Sequence, residues 1–315
     1  MLGEIVIGSR DSNLAMWQSE WVAEQLRSYN PNLPIVINGM KTKGDSILDV
    51  ALAKIGDKGL FTKELEHALL EGRISLAVHS MKDLPTELPG GLIIGAICER
   101  EYPGDVLISK NGEKLNELQA GARIGTSSLR RRAQLLNYRP DFKMLDIRGN
   151  LTTRLRKLKE LNLDAVVLAY AGIKRMGFEH LISDYIPFNI CLPAVGQGAI
   201  GVELRADDRA TMHVISTIDH KITRIAIEAE RSFMKRLEGG CQVPIGALGR
   251  VENGHLTLEG TVAELHGTQV VRQSISGPAE KAGQLGEKLA EILLEQGAGE
   301  ILARARQEFG IDDSK

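Results

Sequence analysis

The 315-residue sequence is short of long apolar runs, aromatic rings, cysteines and net charge. Its longest apolar stretches, Ala165–Ile173 and Leu92–Ile97, fall far short of the ~20 residues that cross a bilayer, so no membrane partner is expected. The first ten residues, Met-Leu-Gly-Glu-Ile-Val-Ile-Gly-Ser-Arg, lack a basic segment followed by an apolar core, which argues against a secretory leader. Cys98, Cys191 and Cys241 are widely spaced and form no Cys-x-x-Cys pair. That pattern excludes a zinc ribbon or a disulfide framework, leaves no evident metal site, and points to a reducing, cytoplasmic setting. Aromatic residues make up 4% of the chain and the formal net charge is −2. Both speak against a nucleic-acid partner, because single-strand grooves stack bases on aromatics and draw on a positive field.

What is present is an ordinary globular composition, 43% hydrophobic and 25% charged. At about 150 residues per domain the length predicts two domains, or three small ones. The first half alternates strand and helix patterns: strands at Glu4–Gly8, Ile35–Lys41, Ile74–His79 and Leu92–Glu99, with helices at about 13–28 and at Phe61–Leu70. Ser12 and Ser80 stand where helix caps belong. After Pro103-Gly104 the same grammar returns, with strands at Arg123–Gly125, Lys143–Ile147 and Ala165–Ala169 and helices at Leu129–Tyr138 and Leu151–Leu161. This alternation predicts α/β layers with largely parallel sheets. The last third differs. A helix at Ile222–Leu237 precedes strands at Ile245–Val251, His255–Ala263 and Gln269–Ser276, with an Asn253-Gly254 hairpin turn, and helices close the chain. The expected organisation is a first lobe from 1–98 plus 199–216, a similar second lobe at 104–192, and a small α+β domain at 219–315. Arg100–Gly104 and the Pro/Gly-rich segment Pro193–Gly198 join the lobes and are candidate hinges.

Charge is unevenly spread. Between Arg123 and Lys159 lie eleven basic residues, opposed only by Asp141 and Asp146. The plain account of such a run is a solvated helix face. Four strand-to-helix turns nevertheless carry cations: 9–12 (Arg10), 79–83 (Lys82), 126–131 (Arg130, Arg131) and 148–150 (Arg148), and Arg154 and Arg175 could join them. In open parallel sheets such turns line one edge, where helix N-termini favour anions. A ligand with several carboxylates or phosphates fits this set, each charged hydrogen bond contributing about 1.5–3 kcal/mol. Asp83 is an acid among these cations, suited to stabilising a developing positive charge or relaying a proton. His79 and His67 read as structural. Cys241 sits in Leu237-Glu-Gly-Gly-Cys-Gln-Val-Pro-Ile-Gly246, a loop that can project a thiol near Arg231, Lys235 and Arg236. Cys98 and Cys191, set in or beside apolar segments, fit the core instead.

The order and spacing of seven motifs resemble the porphobilinogen deaminase (hydroxymethylbilane synthase) family. They are Ser-Arg-Asp-Ser-Asn-Leu-Ala (9–15), Lys-Gly-Leu-Phe-Thr-Lys-Glu-Leu (58–65), Ala-Val-His-Ser-Met-Lys-Asp-Leu-Pro (77–85), Ile-Gly-Thr-Ser-Ser-Leu-Arg-Arg (124–131), Ile-Arg-Gly-Asn (147–150), Leu-Pro-Ala-Val-Gly-Gln-Gly (192–198) and the segment 237–246 around Cys241. The resemblance implies two periplasmic-binding-protein-like α/β lobes plus a small C-terminal α+β domain. It implies a transferase of tetrapyrrole (haem) biosynthesis, monomeric, that joins four porphobilinogen molecules head to tail with release of ammonia. A dipyrromethane cofactor, held as a thioether on Cys241, primes the chain. By the same resemblance Asp83 is catalytic; Lys82, Asp83, Ser128, Arg130, Arg131 and Arg148 hold the cofactor; Arg10, Ser127, Arg148, Arg154 and Arg175 hold substrate; and Lys54 and Lys58 lie in a mobile loop. Asp11, Asn13 and Tyr170 fill positions where the family varies or usually differs. A non-enzymatic two-lobed anion-binding protein is the alternative; it leaves Cys241 and the third domain unexplained.

Overall fold

A computed structural model describes residues 3–42, 44, 61–237 and 243–309. The chain divides into two compact units, one built from the described residues up to Glu101 with Ala199–Arg224, the other from Tyr102–Gly198 with the described residues from Ile225 onward.

In the first unit, strand β1 (Ile5–Arg10) buries Ile5 and Ile7. Helix α1 (Asn13–Tyr29) starts at Ser12, whose hydroxyl accepts from the Ala15 N–H at 3.4 Å, as the sequence predicts. Its buried positions, Ala15, Gln18, Ser19, Val22, Ala23 and Leu26, recur at helical spacing and form one face. Then come β2 (Ile35–Met40), α2 (Lys63–Leu70), β3 (Leu76–Ser80), a 3₁₀ turn at Met81–Asp83 and β4 (Leu92–Ile97). Gly72 ends the α2 segment with φ at +70°.

The second unit opens with β5 (Asp105–Ser109), followed by β6 (Arg123–Gly125), α3 (Leu129–Tyr138), β7 (Lys143–Leu145), α4 (Leu151–Glu160), β8 (Ala165–Ala169), α5 (Tyr170–Arg175) and β9 (Asp184–Tyr185). The chain then returns to the first unit as β10 (Ile200–Arg205) and α6 (Arg209–Ile215). The two sheets share one plan. The first runs β2-β1-β3-β10-β4 and the second β7-β6-β8-β5-β9. In each, the first three strands are parallel and the last two antiparallel to their neighbours. These are the two similar α/β lobes that the sequence predicts. Strand β5, which fills in the second sheet the slot β10 fills in the first, is missing from the sequence reading. Its five residues are all buried, so it has no alternation to reveal it.

The remaining elements form a small α+β domain: α7 (Lys221–Arg236), the antiparallel strands β11 (Ile245–Glu252), β12 (His255–Ala263) and β13 (Val270–Pro278), then α8 (Ala282–Glu295) and α9 (Ala298–Phe309). Asn253 and Gly254, at φ +51° and +76°, make the expected two-residue turn. One sheet face packs on Phe233, Leu289 and Leu293. Helices α7 and α8 come close enough that a Cβ on Gly286 would strike the Ala229 carbonyl and crowd the Phe233 N–H. Gly286→Ala therefore lowers stability by about 1–3 kcal/mol through overpacking, despite alanine's better helix propensity. Denaturant midpoints of parent and variant test this.

The segment Pro193–Gly198 and the residue before it are held by hydrogen bonds to distant parts of the chain. Just before it, the Leu192 N–H donates to Gln134 Oε1 at 2.8 Å. The Gly196 N–H donates to Glu230 Oε2 at 2.8 Å, and Gln197 Nε2 donates to the Pro103 carbonyl at 2.6 Å.

Candidate active site

Parallel strands β1 and β3, paired at Gly8 and Ala77, end on the same edge of the first sheet. Arg10 closes β1, its guanidinium 4.2 Å from the centre of the Phe61 ring. Ser80 closes β3. It does not cap the next turn as the sequence suggests; its hydroxyl pairs with Gln18, whose Nε2 donates to it at 2.9 Å. The 3₁₀ turn is fixed by Met81 and Leu84, both buried, with the Met81 N–H donating to the Ala199 carbonyl at 3.0 Å. This anchoring leaves Lys82 half-buried and Asp83 exposed. His79 is structural, as expected: its Nε2 lies 2.9 Å from the buried Glu203 carboxylate.

Beside that pair, Glu66 is buried, and among the described residues its Oε1 has no partner, nor has Glu203 Oε1. Burial pushes the Glu66 pKa up, and the charge of Glu203 adds to it. A carboxyl with a raised pKa destabilises the fold once ionised, so its penalty grows as pH rises through its titration and vanishes below about 4.3, its unfolded value. Glu66→Gln should therefore raise the unfolding midpoint at pH 8, with the gain shrinking toward pH 4. A constant gain would contradict this.

In the second sheet, β6, β7 and β8 are likewise parallel, and their carboxyl ends carry the next set of residues. Ser127 spends its hydroxyl proton on the Ile147 carbonyl at 2.5 Å, so binding an anion requires it to rotate. Ser128 accepts from the Arg131 N–H at 3.4 Å as the cap of α3, and among the described residues its own proton has no acceptor. Arg148 lies half-buried in the β7–α4 turn without an ion-pair partner among the described residues, and burial holds its pKa below the usual arginine value. A bound anion would relieve that cost. Arg154 Nε folds back on the Gly149 carbonyl at 2.9 Å, and Arg175 Nη2 donates to the Gly198 carbonyl at 2.7 Å. Arg139 and Arg156 belong to the solvated part of the basic run, paired with Asp141 and Glu160 at the surface.

Arg130 and Arg131 are buried, at 4% and 5% exposure. Both guanidinium groups reach Asp105, which lies outside the sequence motifs. Arg130 Nη1 donates to Oδ2 and Arg131 Nη2 to Oδ1, each at 2.8 Å. Arg131 Nη1 also donates to the Val167 carbonyl at 3.0 Å. Two buried cations thus share one carboxylate, and among the described residues the Nε atoms of Arg130 and Arg131 are buried without partners. Excess positive charge and unmet donors fit a polycarboxylate such as a dipyrromethane with acetate and propionate arms. The signal available in the sequence was Asp105 itself, an acid opening the apolar run Val-Leu-Ile.

Cys98 and Cys191 are buried, as expected of core residues. Burial pushes the Cys191 thiol up to about 12, which leaves it unreactive. Lys54, Lys58 and Cys241 lie outside the described residues.

A family model described as porphobilinogen deaminase, dipyromethane cofactor binding domain, matches residues 5–213. That of the porphobilinogen deaminase C-terminal domain matches residues 224–295. The chain belongs to the porphobilinogen deaminase family. Curated relatives named porphobilinogen deaminase agree. That of Pelotomaculum thermopropionicum is 61% identical over 308 residues, covering 98% of this chain and 99% of its own. Those of Desulforudis audaxviator and Carboxydothermus hydrogenoformans are 60% and 58% identical, covering 97% and 98% of this chain and 99% of each relative. The family's cofactor-binding region takes in both sheets and their cationic edges, and Cys241 falls inside its C-terminal domain.

Proposed function

We propose that the chain is a hydroxymethylbilane synthase, a transferase that condenses four porphobilinogen molecules head to tail and releases ammonia. The observation that carries this reading is the family match over nearly the whole chain; the doubly cationic site around Asp105 supports it. A non-enzymatic anion-binding protein is not favoured. When bound to Cys241, the dipyrromethane supplies a free pyrrole α-carbon from which the product chain grows.

The residues of the chain divide the remaining work. Arg130, Arg131, Arg148 and Lys82 hold cofactor carboxylates, with Ser128 donating its hydroxyl proton. Arg10, Arg148, Arg154 and Arg175 hold the acetate and propionate groups of porphobilinogen, with Ser127 joining them after rotation. Asp83 accepts hydrogen bonds from pyrrole N–H groups and offsets the positive charge that develops on the substrate's methylene carbon as ammonia departs. It then takes part in removing the proton that restores aromaticity. The proposed domains are 1–98 plus 199–216, 104–192 and 219–315.

The enzyme is proposed to be a cytoplasmic monomer. Among the described residues no helix is long and apolar enough to cross a membrane, and neither membrane nor nucleic acid is proposed as a partner. Incubation with porphobilinogen tests the assignment. One ammonia released per porphobilinogen consumed, with a linear tetrapyrrole as product, is expected; porphobilinogen binding without ammonia release would return the anion-binding alternative.

A further inference from the structure

Asp105 opens β5 and is fully buried. Its carboxylate accepts four groups from three segments of the chain. Arg130 and Arg131 come from the first turn of α3, Gln197 Nε2 from the crossover at 2.9 Å, and the Cys191 thiol approaches Oδ2 at 3.6 Å. Burial alone would push the Asp105 pKa up, but the charges and hydrogen bonds of the two guanidinium groups carry it well below the usual carboxylate range. It is therefore an anion at any working pH. The pairing fixes direction as well as charge. With Arg130 Nη1 held by Asp105 and the Leu192 carbonyl, Arg130 Nη2 has no partner among the described residues. With both Arg131 terminal nitrogens held, that side chain has one buried orientation. Without Asp105, two buried cations would repel each other and lose a common anchor.

We propose that Asp105 is a positioning residue, which holds the Arg130 and Arg131 guanidinium groups in the one arrangement that accepts a carboxylate of the cofactor. Its partner Gln197 transmits the position of the crossover to the same carboxylate. The inference rests on the assignment of Arg130 and Arg131 to cofactor binding.

The test is reconstitution of cofactor-free enzyme with porphobilinogen, followed by intact mass, for the parent and Asp105→Asn. The expected result is a half-saturating porphobilinogen concentration for adduct formation raised about 10–100-fold, as when residues that orient metal ligands are removed. A residue that served stability alone would lower the unfolding midpoint and leave the half-saturation of the folded fraction unchanged. That outcome overturns the inference. Should Asp105→Asn fail to fold, Gln197→Met decides, since it removes one donor to Asp105 and no charge: a raised half-saturation supports the role and an unchanged one overturns it. Failure of the parent itself to acquire any adduct would instead overturn the underlying functional assignment.

Discussion

Asp83→Asn folds like the parent and turns over porphobilinogen about 10²–10⁴-fold more slowly, the range lost when a group that handles charge and protons in the transition state is removed. The fold should tolerate the change. Asp83 is exposed, and its turn is held by the buried Met81 and Leu84 on either side and by the bond from the Met81 N–H to the Ala199 carbonyl. Asparagine keeps the shape and one acceptor oxygen but loses the charge. A loss of turnover with an unchanged midpoint therefore isolates the charge. Near-normal turnover would refute the catalytic assignment, and the developing cation would then have to be stabilised elsewhere.

Cys241→Ser carries no pyrrole adduct and shows no turnover. A thioether needs a sulfur nucleophile, and at neutral pH a serine hydroxyl offers almost no anion to replace the thiolate. The other thiols cannot substitute. Cys98 and Cys191 are buried, and Cys191 is in addition raised to about 12 by its surroundings. Intact mass of the denatured variant, before and after incubation with porphobilinogen, reads the result directly. An adduct of normal mass in Cys241→Ser would move the attachment to another residue.

Local signals in the sequence predict the structure where the physics is local. Helix α3 runs from Leu129 to Tyr138 as expected because Ser128 caps it and its apolar residues recur at helical spacing. The β11–β12 hairpin follows from Asn253-Gly254, the residues that tolerate positive φ. What was not legible depends on contacts between distant residues. Ser80 stands where a cap belongs, yet Gln18, 62 residues away, takes its hydroxyl. Arg130 and Arg131 were legible as cations at a strand-to-helix turn. Their burial on a shared carboxylate was not, because Asp105 lies 25 and 26 residues earlier in a strand too short and too buried to show a period. Pro193–Gly198 reads as a candidate hinge from its composition. Its bonds to Glu230 and the Pro103 carbonyl come from residues that no local pattern connects to it.

The most direct test of the account is the intact mass of the enzyme, denatured after brief exposure to porphobilinogen, with the adducts localised by peptide mapping. The account predicts a ladder on the Cys241 peptide. Its lowest rung is two linked pyrrole units, and each further rung adds one porphobilinogen less one ammonia. A chain whose mass never changes, with no ammonia released, would contradict it.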